Sequence, residues 1–199
     1  MEENKQLPVK WLWGLFWLHV ANCLLPLFGH LPPLVGSWYP WAQRVVSLGI
    51  VVCLYLLPGR YRLAGMAKAL GLLCSVICLV FYRVLYAFGV QLDAEGYDLA
   101  YTLLSRASDI LALTAMILEY TAHAAAVPDH KRKWYIFLCC SLAITLATSV
   151  FVALVQPMLE ELSWVFLLLW NLGARTLSLA ASIAYLLLLY RVINAQRKE

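Results

Sequence analysis

Long apolar runs separated by short polar stretches make up most of this chain. A helix needs roughly 20 mostly apolar residues to cross a bilayer. Six stretches meet that length, approximately 11–29, 39–57, 64–89, 99–123, 134–156 and 163–190. The connections are short, and the longest, about 124–133, cannot fold alone. The pattern predicts an all-α, polytopic integral membrane protein, with residues 1–199 forming a single domain of six transmembrane helices. The first stretch, "VKWLWGLFWLHVANCLLPLFGH", is long, rich in Trp and without a clear small-x-small cleavage site, so it reads as a membrane helix rather than a signal peptide.

Composition agrees. Charged residues are 13% of the chain and hydrophobic residues 63%, whereas a soluble domain carries about 25% charged residues. With a mean hydropathy of +0.77, the partner of most of the surface is the lipid bilayer. The formal net charge of +4 has its cause in topology, and no nucleic-acid partner is expected.

Cytoplasmic loops are enriched in Lys and Arg. Lys5 and Lys10 precede the first run. Arg60, Arg62 and Lys68 lie around the start of the third. Lys131, Arg132 and Lys133 open the fifth, and Arg191, Arg197 and Lys198 follow the sixth. The alternate connections carry Asp93, Glu95 and Asp98, or Glu160 and Glu161. Both termini are therefore expected in the cytoplasm. The lack of targeting signals and the clean charge bias suit a bacterial cytoplasmic (inner) membrane.

Those eleven basic residues leave four of the fifteen unexplained. Arg44, Arg83, Arg106 and Arg175 fall in the outer half or near the middle of their helices, where the topology rule does not ask for them. A charge at the bilayer centre costs about 2.5–3.5 kcal/mol on insertion scales, so such residues turn inward and pair. Asn171, Arg175, Ser178 and Ser182 share one face of the sixth helix at i, i+4, i+7 and i+11. Thr102, Arg106 and Asp109 share a face of the fourth, and His19 and Asn22 lie three apart on the first. The substrate-binding candidates are accordingly Arg106, Asp109, Asn171, Arg175, Ser178, His19 and Asn22. Arg44 and Arg83 form an outer anion vestibule. One carboxylate among several guanidiniums suits an anion or a carboxylate- or phosphate-bearing solute. The competing reading is structural: Asp109 neutralises Arg106 or Arg175, and the Ser and Thr stripes tie helices together.

Other residues are less pointed. Glu119 lies near the inner end of its helix, at a depth close to Lys68, and an inner-leaflet ion pair is the simple account. "GMAKALG" at 65–71 spaces small residues four apart, which permits close helix contact within the chain or with a partner. Arg44, Arg106 and Arg175 each open an Arg-x-x-polar-apolar segment, a match too short to establish a repeat. The six cysteines all fall in expected helices and form no CxxC. No HExxH, GxSxG or P-loop occurs. No catalytic residue, metal site or cofactor is expected, and an enzyme is the less favoured class.

The sequence thus points to binding or translocation of a small anionic or zwitterionic solute through an outward-facing polar site, as a secondary transporter, a channel or a transporter's membrane subunit. Short loops leave room for a membrane partner subunit or a homo-oligomer. The alternatives are a sensor, an assembly or partner subunit and, further off, an intramembrane lipid-modifying enzyme with His19 and Asp109 as its acid and base.

Overall fold

The computed structural model describes residues 7–28, 39–87, 94–155 and 164–198. Among them it is all-helical, with α1 at Val9–Phe28, α2 at Tyr39–Leu56, α3 at Arg60–Ala87, α4 at Ala94–Ala126, α5 at Lys131–Val155 and α6 at Trp164–Lys198. A short 3-10 helix, Pro128–His130, joins α4 to α5. Lys5, Asp93, Glu160 and Glu161, used above for topology, lie outside the described residues, as do the side chains of Glu95 and Asp98.

Four segments are long and apolar enough to cross a membrane: Arg60–Cys78, Tyr101–Ala126, Pro128–Phe151 and Leu172–Arg197. Val9–Leu25 and Trp41–Leu56 are apolar but shorter. Large apolar side chains point outward along these helices, among them Leu63, Leu70 and Leu73 of α3 and Ile183 and Leu187 of α6. An outward face of leucine and isoleucine, stable only against hydrocarbon, is that of a helical membrane protein.

The chain gathers into two compact units, Met1–Ala122 and His123–Glu199. In the first, α1 packs on α2 and α2 on α3, burying Leu12, Leu15, Ile50, Leu54, Leu57, Ala64 and Ala67. Two glycines make the α2–α3 hairpin possible. Gly59 takes a positive φ of 67° in the turn, which side chains other than glycine's rarely tolerate. Gly65 lets α3 touch the α2 backbone: a Cβ there would sit 2.8 Å from the Tyr55 nitrogen. The small residues of "GMAKALG" thus serve contacts within the chain at this point. Across the turn, the Arg62 guanidinium lies 4.5 Å from the centre of the Tyr55 ring and donates to the Tyr55 hydroxyl at 2.7 Å.

The core of the second unit is aromatic. His123, in the last turn of α4, is fully buried and stacks on Trp134 with ring centres 4.6 Å apart. Tyr185 of α6 meets both rings edge-on at 6.0 and 5.9 Å, its hydroxyl 3.4 Å from His123 Nε2. Burial of Leu189, Val192 and Ile193 carries α6 helically to Lys198, past the apolar run that ends near 190. Gln196 then donates to the Ala126 carbonyl at 3.3 Å, satisfying one of the acceptors that a helix end leaves open.

Candidate functional site: a polar cavity in the first unit

Seven polar residues of the first unit, His19, Ser47, Lys68, Ser75, Ser108, Glu119 and Tyr120, line a cavity of about 330 Å³. Two helical stripes build most of its wall. On α4 the lining residues are Ser108, Ala112, Ala115, Met116, Glu119 and Tyr120; on α3 they are Lys68, Gly71, Leu72 and Ser75. Both series repeat at three and four residues, so each is one face of its helix. Ser47 of α2 and His19 of α1 complete the lining.

Glycine and serine set how closely α3 and α4 approach. A Cβ on Gly71 would lie 3.3 Å from the Leu111 Cβ and 3.4 Å from the Ser108 carbonyl oxygen. The Ser108 hydroxyl donates to the Gly71 carbonyl at 3.0 Å. This bond leaves the wall small-sided on both helices, and the space opens along Ser75, Ala112 and Ala115.

The chemistry concentrates at Glu119. Its side chain is 4% exposed, and the His19 Nε2 lies 3.6 Å from its Oε1. That is an ion-pair distance, beyond a good hydrogen bond. A carboxylate this buried needs a compensating partner. His19 supplies one whenever it is protonated, and Lys68 brings an ammonium to the same cavity. Buried Tyr61 of α3 lies within electrostatic range of Glu119. The cavity therefore offers a carboxylate, an imidazole, an ammonium and the hydroxyls of Ser47, Ser75, Ser108 and Tyr120. That set can hold a small charged or zwitterionic molecule by hydrogen bonds and ion pairs. Among the described residues, no group of three or more His, Cys, Asp or Glu is placed to hold a metal.

The sequence candidates are distributed as follows. His19 faces Glu119 in the cavity. Arg106 and Asp109 form an i,i+3 pair at 4.0 Å on α4, with side chains 72% and 64% exposed. Asn22 is half-buried on α1. Arg44 is half-buried and lies over the Trp41 ring at 5.7 Å. In the second unit, Arg175 and Ser178 are exposed, and the Ser178 carbonyl accepts from Ser182 at 2.9 Å. The side chains of Arg83 and Asn171 are outside the described residues.

Sequence reasoning passed over Ser47, Ser75, Ser108 and Tyr120 and did not pair His19 with Glu119. The signal was present: Lys68, Gly71 and Ser75, like Ser108, Ala112, Ala115 and Glu119, are small or polar residues at helical spacing. The chain matches no protein-family model, no curated protein and no solved structure.

Proposed function

We propose that this protein spans the membrane six times, with both termini in the cytoplasm of a bacterial cell. In this reading it binds or translocates a small anionic or zwitterionic solute through the cavity lined by His19, Lys68, Ser75, Ser108 and Glu119. The observation that supports this is the convergence of a carboxylate, an imidazole and an ammonium on one cavity between largely apolar helices. Ionisable groups within a membrane face a cavity or a pathway far more often than lipid. The volume, about 330 Å³, is some ten times water's share of liquid volume, roughly 30 Å³, and suits a solute of amino-acid size.

In this reading Arg106 and Asp109, exposed on the helix that carries Ser108, form the outer approach to the cavity, with Arg44 and Arg83 as the anion-attracting vestibule. Asn22 of α1 and, separately, Asn171, Arg175 and Ser178 of α6 are further candidate solute-binding positions. So read, the chain acts as a secondary transporter, a channel or the membrane subunit of a larger assembly.

The reading requires water in the cavity. In a background lacking the six native cysteines, Ser75→Cys and Ser108→Cys should react with membrane-impermeant thiol reagents from at least one side. Glycine or lactate, a zwitterion and a monoanion, should slow that reaction. Cysteines unreactive from both sides would end the solute-pathway reading.

A further inference from the structure

The charges of the cavity decide what can enter together with a solute. Four ionisable groups line the cavity: His19 from α1, Lys68 from α3, and Glu119 and Tyr120 from α4; α2 contributes the hydroxyl of Ser47, and buried Tyr61 of α3 lies within electrostatic range of Glu119. With Lys68 charged, Glu119 ionised, His19 neutral and the tyrosines neutral, the sum is zero. A site of low permittivity resists any net charge. A zwitterion leaves the sum at zero. A monoanion brings it to minus one, and one proton restores it.

His19 is the acceptor best placed for that proton. Its Nε2 is the atom directed at Glu119, 3.6 Å from Oε1. A proton added to the ring makes an imidazolium against a carboxylate, an ion pair in a cavity that has just received a negative charge. Imidazole is also the side chain that changes charge near neutral pH without a special environment. We propose that His19 and Glu119 carry one proton for the cavity, so that a monoanionic solute and a proton enter and leave together. This rests on the solute reading above and makes the movement electroneutral. The proton comes from water on the side of entry, binds the lone pair of the His19 ring, and returns to water on the side of exit. No bond in the solute is made or broken.

The charge of the cavity can be read without knowing the solute. Ser75→Cys, in the full chain lacking its native cysteines, is reacted with an anionic and a cationic methanethiosulfonate. The ratio of the two rates reports the local charge, and the ionisation of the introduced thiol cancels in it. One positive charge gained in the cavity speeds the anionic reagent and slows the cationic one. The anion-to-cation ratio should therefore rise severalfold as pH falls from about 8 to about 5. His19→Gln should flatten this dependence. Glu119→Gln should shift the ratio toward the anionic reagent at every pH. A ratio independent of pH, or a pH dependence unchanged by His19→Gln, overturns the proton assignment while leaving the solute reading intact. A cysteine that reacts with neither reagent overturns both, because solute and proton need the same water.

Discussion

A methyl group at Gly65 tests how closely α2 and α3 are packed. In a helix interior, Gly→Ala is ordinarily worth about 1 kcal/mol in favour of Ala. At Gly65, however, the new carbon would lie 2.8 Å from the Tyr55 nitrogen and 3.2 Å from both the carbonyl carbon and the Cβ of Leu54. Favourable carbon contacts are made at about 3.5–4.0 Å. The obstacle is largely backbone, so no rotamer change clears it, and α2 must move out by some tenths of an ångström. Overpacking of this kind costs about 1–3 kcal/mol, and a gap of 0.5–1 Å forfeits about a quarter to a half of each neighbouring contact. Gly65→Ala should therefore destabilise the fold by about 1–2 kcal/mol after the helical gain. Gly173 of α6 is the control, because a Cβ there meets nothing within 4 Å. Gly173→Ala should stabilise by up to about 1 kcal/mol. Equilibrium unfolding of both variants in mixed micelles measures the contrast, opposite in sign and about 2–3 kcal/mol wide. A Gly65→Ala protein at least as stable as the parent would refute the close approach.

Three further outcomes follow from the geometry. Removing Glu119 or His19 singly should cost more than half of what removing both costs, because a lone buried charge goes uncompensated; a double-mutant cycle should give a coupling of about 1–3 kcal/mol, and additive effects would dismiss the pair. Arg106→Gln and Asp109→Asn should each change stability by only about 0.2–0.5 kcal/mol, as expected of an exposed i,i+3 pair, and a loss above about 2 kcal/mol would place that pair in a buried polar centre instead. His123→Ala should destabilise the second unit by about 2–4 kcal/mol through loss of its stacking on Trp134 and the space left behind, seen as a shift in tryptophan fluorescence during unfolding; an unchanged midpoint would show that the stack contributes little.

Helical periods and apolar length were legible in the sequence because a membrane helix must satisfy its backbone internally and its exterior with hydrocarbon. The spacing of "GMAKALG" marked close packing, and Gly65 and Gly71 realise it against α2 and α4. His19 and Glu119 could each be seen as polar residues in apolar helices. Their pairing could not, since it depends on the rotation of α1 about its axis, and the hydrophobic pattern of "WLWGLFWLHVANCLL" is apolar nearly all round. The cavity serines were hidden for a related reason. Ser47, Ser75 and Ser108 are equally good as residues that bond their own helix backbone, and only the neighbouring Gly71 carbonyl distinguishes Ser108. In "LLSRASDILAL" the charged pair draws attention, but the residue that reaches a neighbouring helix is the serine between Arg106 and Asp109.

The aromatic cluster of the second unit also sets an order of events during synthesis. His123 and Tyr185 are 62 positions apart, and Trp134 lies between them in the chain. As the polypeptide emerges, His123 and Trp134 can find each other early, but the third ring and the Gln196 clasp on Ala126 come only with the last helix. Until then the growing chain holds a half-made nest of rings and an uncapped helix end. A protein truncated before Tyr185 carries those features permanently. Completion of the aromatic nest thus depends on residues far apart in the chain, and it comes only when α6 joins α4 and α5.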